Sequence, residues 1–160
     1  MNLSEDFFEK IYSMNIFQIY KNFEFLGEGL GRIVYGINED YVIKIAKDED
    51  GDYQCSVENY IYCNCHDSLK KYLCPVLWYK PNMIVMKRAL PLTHLVKTKN
   101  IDIKKIKSDD FYKDILILAN QFDLLSEDVI ATSSWGILDK KLVLIDYGCT
   151  TEFHEKYFNN

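Results

Sequence analysis

The sequence contains few glycines and prolines and no long apolar run. Seven of its 160 residues are glycine and three are proline, while 48% are hydrophobic and 27% are charged. This length and composition suit about one globular domain with a core of its own. No apolar stretch approaches the length that spans a bilayer, and the acidic start of the chain is unlike a secretory signal. We therefore expect no membrane partner and a cytoplasmic location.

Basic residues are also outnumbered, with 19 Lys and Arg against 24 Asp and Glu and a net charge of −5. This balance argues against nucleic acid as a partner. The five cysteines are odd in number and irregularly spaced, which argues against a disulfide framework. Cys63, Cys65 and His66, with Cys74 nearby, offer zinc-binding atoms, but structural zinc sites usually use two separated cysteine pairs. The simpler interpretation places Cys65 on the apolar face of a helix.

Apolar periodicity predicts an α+β fold. Spacings of three and four predict one amphipathic helix over residues 3–20, and alternating segments over 23–47 predict three antiparallel strands. An acidic loop at 48–52, a helix ending at Cys74-Pro75, two strands at 76–79 and 83–86, a helix over 111–125 and a terminal hairpin follow. We expect an N-terminal helical segment over 1–22 and a single domain over 23–160, divided into subregions at about 23–90 and 91–160.

Three of the scarce glycines, Gly27, Gly29 and Gly31, fall within five residues. Between two strands they allow backbone N–H groups to approach a polyphosphate, although a mobile hairpin uses glycine in the same way. Lys44 lies in the apolar segment Val42-Ile43-Lys44-Ile45, where a buried ammonium needs an anion, and Glu58 is an available partner. The alternative is that Lys44 extends to solvent at a strand edge.

Asp146 follows four apolar strand residues and precedes Tyr147-Gly148. A carboxylate at this position suits Mg²⁺ held between phosphates, and it also suits a turn at the end of a strand.

These motifs, taken in order, resemble the protein-kinase-like superfamily. Gly27-Glu28-Gly29 with Val34, Val42-Ile43-Lys44, Glu58 and Asp146-Tyr147-Gly148 match its glycine-rich loop, lysine strand, C-helix glutamate and Asp-Phe-Gly motif. The chain is similar, more narrowly, to small kinase-like proteins of phages and bacteria. The resemblance covers about residues 23–150 and leaves out the predicted helix 3–20.

The resemblance implies a fold and a set of roles. The fold is an antiparallel N-lobe sheet with one C-helix and a reduced helical C-lobe that ends in a hairpin carrying Asp-Tyr-Gly. Lys44 contacts the α- and β-phosphates of ATP and pairs with Glu58, the glycine turn covers the phosphates, and Asp146 binds Mg²⁺. The segment from Met86 to Leu90 is the hinge that binds adenine through its backbone.

Several positions depart from the family pattern. Asp128 is the candidate catalytic base, but Ser133 stands where the metal-binding Asn is expected, and Arg32 stands where the third glycine is expected. Asp123 is a second candidate for the catalytic carboxylate. Twelve residues follow Gly148, so the resemblance predicts no activation segment and no platform for a peptide substrate.

Two functions therefore remain open at the level of sequence. The first is an ATP·Mg²⁺-dependent phosphotransferase or nucleotidyl transferase that acts on a protein or small molecule. The second is a catalytically inactive pseudokinase that acts through a protein partner, for instance in a phage–host interaction. A structural α+β protein with accidental motif matches is a third, plainer interpretation. The sequence does not determine the substrate or the oligomeric state.

Overall fold

The chain is described by a computed structural model, which covers residues 4–106 and 110–152. The helices are α1 (Glu5–Tyr12), α2 (Ile16–Asn22), α3 (Glu49–Asn64), α4 (Asp67–Lys70), α5 (Phe111–Gln121) and α6 (Ser126–Ile130). The strands are β1 (Glu24–Glu28), β2 (Arg32–Gly36), β3 (Tyr41–Ala46), β4 (Val76–Lys80), β5 (Met83–Lys87), β6 (Leu90–Pro91), β7 (Trp135–Leu138) and β8 (Lys141–Leu144). The predicted α+β class is confirmed. Within the residues described, no helix has the length and apolar character needed to cross a membrane.

The chain divides into two compact units. The first comprises residues 1–59 and 75–88, and the second comprises residues 60–74 and 89–160. The first unit is built on a five-stranded antiparallel sheet in the order β1-β2-β3-β5-β4. The five strands predicted for residues 23–86 are all present, with ends that differ by one or two residues.

One face of this sheet forms the apolar core of the first unit. Side chains of α1 and α2 pack there with alternate residues of the strands, because residues at positions i and i+2 of a strand point to the same face. The buried members of this cluster are Phe8, Ile11, Ile19, Tyr35, Ile43, Trp78, Met83 and Val85. The N-terminal helices therefore cover the sheet, and their apolar residues belong to its core.

The single helix predicted over residues 3–20 is wrong, because the segment forms two helices. Asn15 begins α2 with a capping box, in which its side chain accepts a hydrogen bond from the Gln18 N–H at 3.0 Å and Gln18 accepts one from the Asn15 N–H at 2.9 Å. Apolar periodicity continued through this break, but asparagine favours the helix N-cap over the helix interior. Residues 1–3 of the predicted segment and residues 153–160 of the predicted domain lie outside the described residues.

The boundaries of the next helix also differ from prediction. The predicted acidic loop at 48–52 is largely helical, since α3 begins at Glu49 and the Asp48 carboxylate accepts a hydrogen bond from the Gly51 N–H at 2.9 Å. Acidic residues in the first turn are favoured by the helix dipole. The predicted continuation to residue 73 is interrupted after Asn64, because His66 caps the separate helix α4.

The second unit contains α4, α5 and α6 and a three-stranded sheet in the order β6-β7-β8. Its Trp135 is fully buried and donates a hydrogen bond from its indole nitrogen to the Val129 carbonyl at 2.8 Å. The helix predicted over 111–125 ends at Gln121, and Asp123 then has a φ of 51° in the left-handed region. The predicted terminal hairpin is present as β7 and β8.

Candidate functional site

Lys44 and Val34, two of the predicted nucleotide-binding residues, lie on the face of the large sheet opposite its apolar core. Val34 pairs with Lys44 across β2 and β3, Lys44 pairs with Ile84 across β3 and β5, and Arg32 pairs with Ala46. Residues directly opposite each other on paired strands point to the same side of a sheet. Arg32, Val34 and Lys44 therefore lie on one face, while Tyr35 and Ile43 point into the core on the other.

Lys44 and Glu58 form a buried ion pair. The Lys44 ammonium nitrogen lies 2.7 Å from Glu58 Oε1, and the two residues are 6% and 0% exposed. Glu58 comes from α3. A buried lysine needs such a carboxylate, since an ammonium removed from water without a partner is costly. The predicted pairing of Lys44 with Glu58 agrees with this geometry.

Arg32 is a further member of this cluster that the sequence analysis did not assign. Its guanidinium binds both oxygens of Glu58, with 2.6 Å to Oε2 and 3.2 Å to Oε1, and only 5% of the residue is exposed. Glu58 Oε1 is thus shared by Arg32 and Lys44. The sequence does contain a signal for this contact. Arg32 is one of two arginines in the chain, it begins an apolar strand, and it occupies the position at which the kinase-like pattern has its third glycine.

Cys55 lies one helical turn before Glu58 and is fully buried. Burial raises the pKa of the Cys55 thiol to about 11, and the nearby Arg32 guanidinium opposes that rise without cancelling it. The thiol is therefore protonated at neutral pH and is not a nucleophile there.

Gly27, in β1, and Gly29, in the turn between β1 and β2, both have open space on the side where a side chain would project. Gly27 has a φ of 155°, a conformation that other residues rarely adopt, and a Cβ atom built on Gly27 or Gly29 meets nothing within 4 Å. Lys47 holds this turn, since its ammonium donates to the Gly29 carbonyl at 2.8 Å and lies 2.9 Å from a carboxylate oxygen of Glu28. This open space leaves room for a phosphate group near the backbone, and the Gly29 N–H donates to the Arg32 carbonyl at 2.9 Å.

Gly31 has a different structural role from the other two glycines. Its carbonyl accepts a hydrogen bond from the Lys47 N–H at 2.8 Å, and it lies directly against the first turn of α3. A Cβ atom on Gly51 would come within 1.9 Å of the Gly31 carbonyl oxygen. The two glycines therefore allow β2 and α3 to approach each other closely.

The predicted adenine-binding hinge begins in a buried strand. Met86 is 1% exposed and pairs with Val42 in the sheet. Arg88 follows, and its backbone N–H donates to the Asp40 carbonyl at 2.7 Å. Its guanidinium contacts the Asn38 carbonyl at 3.0 Å and a carboxylate oxygen of Glu24 at 2.9 Å. The segment up to residue 88 is therefore held against the loop between β2 and β3, and residues 89 and 90 belong to the second unit.

The two predicted Mg²⁺ ligands, Asp146 and Ser133, lie on adjoining segments of the second unit. The carbonyl of Ser134 accepts hydrogen bonds from the N–H groups of Ile145 at 2.8 Å and Asp146 at 3.3 Å. Asp146 and Ser133 are both exposed. Tyr147 fixes this segment, because it is buried and its hydroxyl donates to the Cys74 carbonyl at 2.8 Å.

No ready-made metal cage is present in the described ranges, 4–106 and 110–152. Within them, no group of three or more His, Cys, Asp or Glu residues is arranged to hold a metal ion. One carboxylate and one hydroxyl suit only a Mg²⁺ ion that takes its other ligands from water and phosphate.

The two candidates for the catalytic carboxylate differ in their surroundings. Asp123 accepts hydrogen bonds from the backbone N–H groups of Thr151 at 2.8 Å and Glu152 at 3.3 Å, the second through its carboxylate. Asp128 is half-buried in the first turn of α6, and the hydrogen bond between Trp135 and Val129 fixes that helix beside β7. Asp123 thus has an evident role in holding the backbone that follows Thr150.

In comparisons with known proteins, no family model matches this chain and no curated protein matches its sequence.

Proposed function

We propose that this chain is a kinase-like protein that binds ATP with Mg²⁺ and transfers a phosphoryl or nucleotidyl group to a protein or small molecule. The observation that carries the proposal is the buried contact of 2.7 Å between Lys44 and Glu58, on the sheet face that also carries Val34. A lysine held at a fixed position by a helix carboxylate is the part of a kinase-like site that binds the phosphates of a nucleotide.

The order of elements supports the same proposal. Three antiparallel strands, a helix bearing Glu58 and two further strands follow one another in the first unit. Gly27 and Gly29 leave open space beside the backbone of the first hairpin, whose first strand is two strands from Lys44 in the sheet. Phosphoryl transfer depends mainly on positioning and on stabilisation of charge, so a small number of fixed groups can support it.

The proposed roles are those that the resemblance to the kinase-like superfamily implies. Lys44 binds the α- and β-phosphates, Glu58 holds Lys44, and Asp146 with Ser133 binds Mg²⁺. Asp128 is the proposed base because it occupies the position that the family pattern implies, whereas the Asp123 carboxylate accepts a hydrogen bond from the Glu152 N–H. When bound, Mg²⁺ would neutralise charge that develops on the phosphate oxygens.

A second candidate function is that of a pseudokinase that binds a protein partner. It is favoured by α2, on which Phe17 and Tyr20 are 81% and 70% exposed. Large exposed aromatic side chains are frequent at protein interfaces. Ser133 supports the same candidate, since a serine hydroxyl is a weaker Mg²⁺ ligand than the amide of the family pattern.

Calorimetric titration with ATP and Mg²⁺ tests nucleotide binding. The wild-type protein is expected to bind ATP, Lys44→Met to lose binding, and Asp146→Asn to lose the dependence on Mg²⁺. Lys80→Gln is the matched control, because Lys80 also joins a helix carboxylate to the sheet, at 2.6 Å from Glu9, but on β4 and α1. Absence of binding by the wild-type protein at millimolar ATP would refute the proposal.

Transfer of label separates the two candidate functions. Incubation with ATP labelled at the γ- or the α-phosphate distinguishes phosphoryl from nucleotidyl transfer. Transfer that requires Asp128 and Asp146 supports an enzyme. Nucleotide binding with no transfer to any protein or small molecule supports the pseudokinase instead.

A further inference from the structure

Arg32 occupies the position of the third glycine in the kinase-like pattern, and its side chain contacts Glu58. Its two terminal guanidinium nitrogens donate hydrogen bonds to the two oxygens of Glu58, whereas the Lys44 ammonium donates to Oε1. A planar guanidinium that binds a carboxylate through two hydrogen bonds fixes the plane of that carboxylate, which a single ammonium contact does not. The direction in which Glu58 Oε1 faces Lys44 is therefore set by Arg32.

Two further contacts hold the same part of α3 against the sheet. Gly51 lies directly against the Gly31 carbonyl, and the Asp52 carboxylate accepts a hydrogen bond from the Asn82 N–H. Two of these three contacts, those of Gly31 and Arg32, therefore come from consecutive residues where β2 begins. The start of β2 thus fixes both the first turn of α3 and the carboxylate of Glu58.

We propose that Arg32 is a positioning residue that holds Glu58, and through it Lys44, in the nucleotide-binding arrangement before any nucleotide is present. This inference rests on the proposed ATP-binding function. On this proposal, α3 is already ordered before the nucleotide binds. Without Arg32, Glu58 would lose the two-point contact that fixes its plane, and nucleotide binding would contribute more to the ordering of this part of α3.

Hydrogen exchange with and without ATP·Mg²⁺ tests this inference. In the wild-type protein, we expect ATP to slow exchange of the α3 amides at 52–59 no more than that of the β5 amides, which report overall stabilisation. In Arg32→Gln, the α3 amides should exchange faster without ATP. ATP should then slow them by about fivefold or more beyond β5, the lower end of typical coupling between sites.

Two other variants make the test specific. Lys80→Gln removes a helix-to-sheet ion pair elsewhere in the first unit and should leave α3 like the wild type. Arg32→Lys keeps the positive charge but loses the two-point contact, and it should lie between the wild type and Arg32→Gln. If Arg32→Gln does not fold, Arg32→Lys carries the test alone.

The outcomes separate this inference from the proposed function. If the wild-type protein binds ATP but both Arg32 variants behave like Lys80→Gln, the inference is overturned and the proposed function stands. If the wild-type protein binds no ATP, the proposed function fails, and the role of Arg32 in nucleotide binding fails with it. Exchange of α3 without ATP then still shows whether Arg32 holds the helix.

Discussion

Replacing Glu58 by glutamine tests whether the buried charge cluster has the energetics that its geometry implies. The substitution keeps the size of the side chain but removes its charge, leaving the cations of Arg32 and Lys44 on either side of a neutral amide. Glu58 is fully buried, and its contacts at 2.6 and 2.7 Å are the closest that it makes to the two cations. Removing one partner of a buried ion pair costs about 3–5 kcal/mol.

That cost is large compared with the roughly 5–15 kcal/mol by which folded proteins are stable. For a chain of this length, each kcal/mol corresponds to about 2–4 °C in the melting temperature, so Glu58→Gln should lower it by about 6–20 °C. Urea and thermal denaturation followed by circular dichroism measure both quantities. The loss should change little with salt, because buried charges are weakly screened.

Glu9→Gln provides the matched control. It makes the same chemical change in another helix carboxylate that binds the sheet, through Lys80, but both partners of that contact are about 40% exposed. Exposed ion pairs contribute about 0–1 kcal/mol, so this variant should be nearly as stable as the wild type. If Glu58→Gln lowers the free energy of unfolding no more than Glu9→Gln does, the reasoning is refuted.

A triple variant separates stability from binding. Arg32→Met, Lys44→Met and Glu58→Leu together replace the charged cluster by apolar side chains of similar size. Buried ion pairs replaced in this way often lose no stability, so the triple variant should be more stable than Glu58→Gln and should not bind ATP. A triple variant that unfolds as readily as Glu58→Gln would show that the cluster has other structural partners that the substitution removes.

Three further predictions concern the framework of the site and the N-terminal helices. Gly51→Ala should cost about 1–3 kcal/mol in urea denaturation, because its methyl group meets a carbonyl oxygen at 1.9 Å, whereas Gly29→Ala, with open space around it, should cost much less. Asn15→Ala should cost about 1 kcal/mol in the same assay through loss of the α2 cap, and an unchanged midpoint would contradict the capping box. The free energy of unfolding should fall between pH 9 and about 11, because Cys55 keeps its proton in the folded protein while the unfolded thiol ionises. Cys55→Ala should reduce that fall, and a native-state thiol reagent should modify the exposed Cys63 but not Cys55.

The strands of the first unit were predictable because their signals are local. Alternating apolar residues over 23–47 and 76–86 specify strands whatever surrounds them, and the short turns between them set antiparallel pairing. Helix boundaries were less predictable. Asn15 and His66 begin new helices inside segments of continuous apolar periodicity, because a side chain that caps a helix end competes with continuation of the helix.

Part of the candidate site was also accessible from sequence. The pairing of Lys44 with Glu58 is predictable, because a lysine in an apolar strand requires a buried carboxylate and the next helix offers one. Arg32 was noticed only as a departure from a pattern, and its hold on Glu58 depends on which face of β2 it occupies. Gly31 was grouped with Gly27 and Gly29, although its place is set by contact with Gly51 in a helix that begins eighteen residues later.

Apolar periodicity and the cost of burying charge are enough to predict the class of the fold, the strands of the large sheet and a lysine that needs an acidic partner. Three features depend on packing between distant segments: Glu58 is shared by two cations, Gly31 lies against α3 just before β2, and α1 and α2 belong to the core of the sheet. Each of these contacts joins residues far apart in the chain. They exist because strand register and helix packing bring particular faces together. No local sequence pattern specifies which faces pack against each other.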